Sequence, residues 1–487
     1  MRTTHRLIAV VFALTGCSDD VATPGGDVDV GDADGSSDVG DTAGDTAGDT
    51  DGDTAGDTDG DTAGDTAGDT AGDTAGDTDG DTDGGRLLSI EDPILTRAPM
   101  GGATCEVERA VTQIAGADYQ IEALIAAGTA AIVTRAFPTL SIARANLDGT
   151  FGDALVLDAR EYAASQSRLA YDGSSVAVVW FQQGDSGGGV VRFAKVAAAV
   201  LTLATQATDI AIGQAEYLTQ PVIVARAGGW ALLYVEQVAG VAVLRFVTLD
   251  VAGAVASAPV TVARGGTENL GFAHSFVVDP AGGYAATWTS GSYAAAEVMF
   301  ARLDAAGAVV SGPHRISREA GGGYSSGVSN RAADNRLLAH GGKYFAAFTE
   351  SYDVGSFPDQ TTSVIARIAV LDAEGNGELH RLQAPIDDMT TVQPSLHLLG
   401  DDVGVLWSYG TVIYICGGCI TDYDLHFVLL DPGTMRPVAP EVVAPSDRNG
   451  FTNPRGAVVA GKLLTTTALD FHALSYPATG VFACTSE

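Results

Sequence analysis

The chain has 487 residues and a formal net charge of −35 at pH 7, from 61 acidic and 26 basic residues. No basic patch interrupts this excess of acid, so the composition excludes nucleic acid as an expected partner. Residues 18–85 hold 22 Asp and no basic residue, whereas residues 86–487 hold the other 39 acids and 24 of the bases. This second part, of roughly 400 residues, is long enough to bury a large core.

The first 16 residues have the layout of a secretory signal. Arg2 and Arg6 precede and flank an apolar run that is too short to span a bilayer, and small residues follow it. The ending Leu-Thr-Gly-Cys at 14–17 resembles the lipobox of bacterial lipoproteins. The resemblance implies that residues 1–16 are removed, that Cys17 is acylated, and that the lipid binds the protein to a membrane. The alternative is an ordinary signal peptide with a chance cysteine.

The residues after Cys17 bear on the location of the protein. Ser18 follows the cysteine, and Asp19 and Asp20 come next. An aspartate directly after the lipidated cysteine resembles an inner-membrane retention signal, and serine does not. The run Cys-Ser-Asp-Asp also looks like the acidic export tether of some surface lipoproteins. We therefore expect an outer-membrane lipoprotein of the bacterial cell envelope, on either the outer or the periplasmic face.

Residues 17–85 form a low-complexity linker with repeats such as GDTAGDTAGDTDGD. Low hydrophobicity and charge of one sign predict a disordered tether with a reach of roughly 45 Å. High-affinity calcium loops alternate their oxygen ligands and end on a bidentate Glu, whereas these aspartates are mostly four apart and Glu is absent. The linker therefore predicts weak Ca²⁺ attraction only, and no cofactor is expected. Asp-Thr-Ala also resembles an O-glycosylation sequon of one bacterial group, which is a further alternative.

The remainder of the chain, residues 86–487, contains internal repeats, which are the first feature to seek in such a sequence. Three landmarks recur at a spacing of 54 residues: Gly228 and Gly282, Tyr234 and Trp288, and Asp250 and Asp304. Glycines at corresponding places mark seven units, near positions 128, 173, 228, 282, 341, 400 and 461.

Each unit holds four short apolar runs rich in β-branched residues and separated by turn residues, which indicates strands. Four strands per unit of about 45–60 residues is the size of a β-propeller blade. We therefore predict an all-β β-propeller of seven four-stranded blades, with six or eight as alternatives. The repeat resembles a group of bacterial secreted propeller proteins with Trp…Ala-Arg-Leu-Asp-x-x-Gly units, over about residues 125–450. That resemblance implies an architecture and no particular activity.

The two ends of the repeat region suggest how the ring closes. The segment CEVERAVTQIA at 105–115 looks like a fourth strand, yet it precedes the first complete unit. If it completes the last blade, the ring has no open sheet edge. Cys105 and Cys484 then become neighbours, and an exported protein permits a disulfide between them.

The sequence Cys416-Gly-Gly-Cys419 allows three interpretations. A redox CxxC is expected near a βαβ pattern, and a structural zinc needs four ligands; neither context is visible in the sequence. We expect a small disulfide that staples a loop, with redox and metal sites as alternatives.

One face of the propeller is predicted to bind ligands. When the strands of a blade are named A to D, the A–B and C–D links are short, and the B–C and D–A links vary in length. Strands alternate in direction, so both variable sets lie at one end, and loops on a rigid scaffold usually carry recognition. Insertions at 349–363 and 408–424 and the loop near 447 supply aromatic and charged candidates for a carbohydrate or peptide ligand: Tyr352, Asp353, Phe357, Asp359, Tyr414, Asp422, Tyr423, Asp424, Asp447 and Arg448. Ordinary solvated loops are the alternative.

The sequence contains none of the common catalytic motifs that would indicate a reaction. The sequence has no HExxH, no GxSxG, no phosphate-binding loop and no S-x-D-x-G-x-T-W box. Trp180, Trp288 and Trp407 recur at the end of strand B and are expected to pack between blades. We therefore predict a binding module for an extracellular or envelope protein or glycan. The alternatives are a propeller hydrolase or lyase acting on polysaccharide and a structural envelope component.

The lipobox leads to a direct prediction. Cys17→Ala removes the acylated residue, so the variant should move from the membrane fraction to the soluble fraction, because the buried acyl chains supply the membrane affinity. Fractionation followed by immunoblotting measures the change, with Ser18→Ala as the control. Continued membrane association of the Cys17→Ala protein would contradict the lipid anchor.

Overall fold

The structure is a computed structural model, and its described residues form an all-β domain. Within them, regular helix is limited to one short 3-10 turn, Ile94–Thr96. No helix in the described part of the chain is long and apolar enough to cross a membrane. The description covers residues 87–487 except 91, 115–119, 137–138, 160–163, 184–188, 216–220, 239, 266–269, 292–295, 319–327, 355–360, 384–388, 416–417, 447–449, 472–473 and 487.

The strands are numbered in chain order and group into seven blades, as the sequence predicted. Blades 1 to 3 contain β3 (Gln120–Ala127), β4 (Ala130–Ala136), β5 (Leu140–Ala145) and β6 (Leu155–Asp158); β7 (Ala164–Tyr171), β8 (Ser175–Gln183), β9 (Gly189–Ala197) and β10 (Thr202–Ala215); β11 (Val222–Arg226), β12 (Gly229–Val238), β13 (Val241–Leu249) and β14 (Val260–Arg264). Blades 4 and 5 contain β15 (Leu270–Val278), β16 (Tyr284–Ser290), β17 (Glu297–Leu303) and β18 (Val309–Arg315); β19 (Val328–His340), β20 (Lys343–Val354), β21 (Thr361–Leu371) and β22 (Gly377–Arg381). Blades 6 and 7 contain β23 (Met389–Leu399), β24 (Asp402–Ile415), β25 (Gly418–Leu430) and β26 (Val442–Ala444); β27 (Gly450–Val459), β28 (Lys462–Phe471), β29 (Leu474–Ser486) and β2 (Ala103–Gln113).

The first strand of each blade faces the centre of the ring. These strands contact one another in sequence, from β3 through β7, β11, β15, β19 and β23 to β27, and β27 contacts β3. They therefore surround a central channel. Because the strands of each blade are antiparallel, the B–C and D–A connections all lie at one end of the channel, which we call the mouth face.

The ring closes as the sequence predicted. β2, from the beginning of the domain, pairs with β29 and becomes the outer strand of blade 7. In this register Cys105 lies opposite Cys484, and the two form a disulfide with an S–S distance of 2.06 Å. The bond closes a loop of 379 residues, and long loops lose the most unfolded-state entropy in the chain-entropy description.

A further strand, β1 (Leu87–Ile90), was not predicted from the sequence. It pairs in parallel with β22 and covers the outer edge of blade 5. The chain then places Ile94, which is fully buried, in the core between blades 5 and 6, and the backbone N–H of Met100 donates to the carbonyl of Pro437 at 2.8 Å. The segment before β2 is thus part of the folded domain.

The core lies between neighbouring blades, where the faces of two sheets meet. Trp180 packs between blades 1 and 2, Trp288 between blades 3 and 4, and Trp407 between blades 5 and 6. Their exposed fractions are 0%, 3% and 0%, which confirms the predicted packing role. Aromatic side chains dominate core energetics because each removes a large apolar area from water.

The repeated Leu-Asp-x-x-Gly sequence has a structural cause in the C–D turns. The Asp250 carboxylate accepts the backbone N–H groups of Ala252 and Ala254 at 2.8 and 2.9 Å, and Asp304 makes the same two bonds in the next blade. The glycine of the turn lies against an aromatic ring of the preceding blade, so that a Cβ at Gly253 would overlap Phe193. The aspartate therefore holds the turn, and the glycine allows the blades to approach.

Basic side chains add a second link between blades. Arg144 donates to the carbonyl of Ala198 at 2.9 Å, and Lys195 donates to that of Val251 at 3.4 Å. Each donor belongs to one blade and each acceptor to the C–D turn of the next. The Lys195 bond thus reaches the turn that Asp250 shapes, and the Arg144 bond reaches a turn without an aspartate.

Alanine substitutions at two glycines distinguish the effect of backbone strain on stability from the effect of inter-blade packing. Gly253 and Gly173 have φ values of +90° and +96°, so alanine is strained at both, but only Gly253 abuts another side chain, Phe193. Gly253→Ala should lower the free energy of unfolding by about 1–3 kcal/mol more than Gly173→Ala, because it alone overpacks the blade interface. Urea denaturation of the full chain measures the difference. Equal losses in the two variants would contradict the packing role.

Candidate functional site

The predicted ligand-binding residues differ in how much of each the structure describes. Asp424 and Tyr423 are the two whose side chains are described. The Asp424 carboxylate accepts the backbone N–H of Ser446 at 2.7 Å, and Tyr423 is only 4% exposed. For Tyr352 and Asp353 on β20, Tyr414 on β24 and Asp422 on β25 the structure describes the strand backbone. Outside the described residues lie Phe357, Asp359, Cys416, Asp447 and Arg448.

The two predicted insertions lengthen strands instead of forming loops. The β20–β21 ladder continues to the pair Val354–Thr361, and the β24–β25 ladder continues to Ile415–Gly418. In blade 1 the corresponding ladder ends at Arg135–Ser141. At about 3.3 Å per residue, the hairpins of blades 5 and 6 therefore rise well above blade 1 at the mouth face. Alternation of β-branched and aromatic residues in TVIYI supports continued pairing.

Seven equivalent positions on the innermost strands form what we call the channel ring. Each is paired with a residue of the second strand, and in blades 2 to 6 that partner directly precedes a large aromatic residue. In all blades but the third, a β-bulge in the same strand lies at or just before the position, and bulges re-aim the side chains that follow them. The members are Ala123, Arg168, Val222, Ser275, Arg336, Ser395 and Arg455.

Three members of the channel ring are arginines, from blades 2, 5 and 7. The pKa of Arg168 is lowered to about 10, by burial first and then by Arg336, and Glu122 opposes the shift. The pKa of Arg455 is also lowered, by burial first and then by Arg168 and Arg336, again opposed by Glu122. Each cation is thus within electrostatic range of the others, and among the described residues three guanidinium groups and one carboxylate interact there.

Glu122 is held by the neighbouring blade. Its side chain lies at the β-bulge of β3, and Oε2 accepts the backbone N–H of Ser167 at 2.8 Å. The Ser167 hydroxyl is 2.7 Å from that of Thr134, and its carbonyl accepts Nη1 of Arg168 at 2.9 Å. Backbone and hydroxyl groups therefore fix both the carboxylate and the first arginine.

His397 lies two residues beyond the ring position of blade 6. Its Nε2 is 2.9 Å from the hydroxyl of Ser395, and its ring abuts Gly456 of blade 7. Burial lowers the pKa of His397 to about 4, so the imidazole is neutral at physiological pH. His397 is therefore a neutral imidazole packed against blade 7, on the innermost strand of blade 6.

This arrangement is suited to an anion. Arginine keeps its proton in proteins, and its planar fork matches carboxylate, sulfate and phosphate oxygens. Three arginines and one glutamate leave two net positive charges, inside a domain whose net charge is about −15. Nε of Arg455 is buried and has no hydrogen-bond partner among the described residues. In that part of the chain no group of three or more His, Cys, Asp or Glu is placed to hold a metal.

The arginines were not identified from the sequence, although a signal was present. Arg168, Arg336 and Arg455 stand in SRLA, NRLL and PRGA, at the same distance before the A–B turn of three units. Alignment of the seven units on that turn places the three basic residues in one column. The column lies on strands, whereas recognition residues are usually on loops, so the sequence pattern did not predict a binding role for it.

The chain has only distant similarity to known proteins. No family model and no curated protein matches the sequence. Among solved structures, the polysaccharide lyase Uly1 shares 12% identity over 78% of this chain and 98% of its own, with a TM-score of 0.46. Trypanosoma rangeli sialidase shares 10% identity over 79% of this chain, which spans 59% of that protein, with a TM-score of 0.36. The N10 neuraminidase-like protein of a bat influenza A virus shares 9% identity over 66% of this chain and 94% of its own, with a TM-score of 0.37. No residue role is transferred from any of them.

Buried neutral His397 predicts an acid-sensitive step in stability. Its pKa is about 4 in the folded protein and about 6.5 in an unfolded chain, so the unfolded state binds the extra proton as the pH falls between these values. Stability is therefore lost in this window, by about 2–3 kcal/mol. His397→Gln should flatten this loss, and His340→Gln, at the end of β19, serves as the control. Urea denaturation from about pH 7 to about pH 4.5 measures it; an unchanged pH slope in His397→Gln would contradict the assignment.

Proposed function

We propose that the chain is an exported, lipid-anchored binding protein whose β-propeller recognises an extracellular or envelope ligand through the mouth face. The lipobox ending at Cys17 supports the export and the anchor. The observation that carries the recognition is the convergence of Arg168, Arg336 and Arg455 in the channel. The ligand therefore bears an anionic group that enters the channel mouth.

An acidic glycan fits this site better than a protein surface does. The arginines lie on the innermost strands, so the anionic group must project from a body small enough to enter the channel. A carboxylate or sulfate on a sugar ring meets this requirement. One guanidinium group can donate two parallel hydrogen bonds to such an anion. The raised hairpins of blades 5 and 6 then offer a side wall for the remainder of the ligand.

A hydrolase or lyase acting on an acidic polysaccharide is the second candidate. The favouring observation is that Glu122 accompanies the arginines and that neutral His397 lies on the innermost strand of blade 6, since a carboxylate and an imidazole can both transfer protons. A purely structural envelope component is the third, but it gives no reason for three like charges in one channel, where their mutual repulsion lowers stability.

The test is a glycan-array and titration experiment with the full chain. Arg168→Gln, Arg336→Gln and Arg455→Gln should each weaken binding of an acidic glycan by about 10- to 100-fold, the usual value of a charge-assisted hydrogen bond. Arg264→Gln, which removes an exposed arginine from β14, is the matched control. Binding should also weaken as salt is added.

Two results would overturn the proposed recognition: no preference for acidic over neutral glycans, or wild-type affinity in all three arginine variants. The enzyme candidate is separated in the same samples. Release of new chain ends from a bound acidic polysaccharide, lost in Glu122→Gln or His397→Gln, would establish catalysis. Binding without any change in chain length would exclude it for that ligand.

A further inference from the structure

Glu122 occupies a particular place in the cationic cluster. It belongs to blade 1, between blade 7, which supplies Arg455, and blade 2, which supplies Arg168. It raises the pKa of both arginines against the lowering effects of burial and of the other cations. Charge therefore alternates across three consecutive blades, and Arg336 lies in blade 5 on another side of the ring.

The position of this carboxylate is set by the fold. Oε2 accepts the Ser167 backbone N–H at 2.8 Å, and Ser167 directly precedes Arg168. The Ser167 hydroxyl is in turn joined to that of Thr134, at 2.7 Å, in a buried contact. A backbone donor and an inter-blade hydroxyl pair thus keep the negative charge beside the arginines whether or not a ligand is bound.

We propose that Glu122 is a built-in counter-ion of the anion site and sets its affinity. It is a positioning residue, acting through Arg168 and Arg455. Its negative charge lessens the repulsion between the guanidinium groups in the empty channel and, for the same reason, weakens their attraction for the acidic group of the ligand. This inference rests on the proposed anion site. The ligand class that it implies is one with an acidic group strong enough to bind despite the resident carboxylate.

The proposal links stability to anion binding. With Glu122 present the cluster has two net positive charges, and with glutamine in its place it has three. The variant should then be less stable in the absence of an anion and should bind an anion more tightly. Any ligand that binds only the folded state stabilises it by mass action, so both effects appear in one melting experiment.

The experiment compares full-chain proteins at low ionic strength, with inorganic sulfate as the probe. Without sulfate, Glu122→Gln should melt roughly 1 °C below wild type, the shift that about 1 kcal/mol produces in a domain of roughly 400 residues. Added sulfate should close this gap, and a given rise in melting temperature should require about tenfold less sulfate than in wild type, as one added interaction of about 1.4 kcal/mol gives. Glu106→Gln, which removes an exposed carboxylate from β2, should behave as wild type.

A second pair of variants keeps the test decisive. Glu122→Asp retains the charge, so its melting temperature should rise with sulfate as that of wild type does. Arg336→Gln removes one cation, so adding Glu122→Gln to it should cause a smaller loss than in wild type. If Glu122→Gln folds only when sulfate is present, that supports the counter-ion role; if it folds at no sulfate concentration, the role is merely structural and the proposal fails.

The remaining outcomes are also distinguishable. A melting gap between Glu122→Gln and wild type that stays constant at every sulfate concentration would overturn the counter-ion role but leave the anion site intact. If wild type and Arg336→Gln respond identically to sulfate, the anion site itself is refuted, and the proposed function with it. Weaker sulfate binding by Glu122→Gln would also overturn the inference, because it would show that the carboxylate supports the anion.

Discussion

Each blade of this propeller has two apolar faces, so the fold depends on every face being covered by a neighbour. An open row of such sheets would expose one apolar face and one unpaired edge at each end. Pairing of β2 with β29 removes both, and the disulfide between Cys105 and Cys484 holds the pair together. The remaining features of the domain follow from the need to bring blades close to one another around a closed ring.

Close approach explains the residues that recur. A turn glycine such as Gly253 leaves space for Phe193 of the preceding blade, and Asp250 holds the turn by accepting two backbone N–H groups. Lysine and arginine side chains then bridge from one blade to the turn of the next. The residues that recur in each blade therefore serve the packing between blades, and they carry little information about ligands.

Closure also concentrates charge at the centre. In the unfolded chain Arg168, Arg336 and Arg455 are far apart, and their mutual repulsion is screened by water and salt. In the ring they share a channel with reduced solvation, where the effect of each on the pKa of the others becomes appreciable. Glu122, supported by the Ser167 backbone, opposes part of that repulsion. The channel is therefore a place where the packing of this domain brings like charges together.

Much of the architecture could be predicted because its causes are local and repeated. The period between Tyr234 and Trp288, the turn aspartates and the stray strand before the first unit determined the all-β class, the seven blades and the Cys105–Cys484 pairing. The strand β1 could not be predicted, because a four-residue parallel strand has no local signature and depends on the edge of β22 being present. Whether the insertions of blades 5 and 6 are loops or extended hairpins depended likewise on pairing between distant residues.

The sequence by itself thus determined the propeller, its closure and the acidic composition of its N-terminal region, since each rests on local or repeated sequence pattern. Only the tertiary structure decided which charged side chains come together. Arg168, Arg336 and Arg455 come from three separate units and meet only because the ring brings equivalent positions of different blades to one level of one channel. Electrostatic convergence of this kind depends on distance in space, and the order of residues along a chain does not contain that distance until the ring has closed.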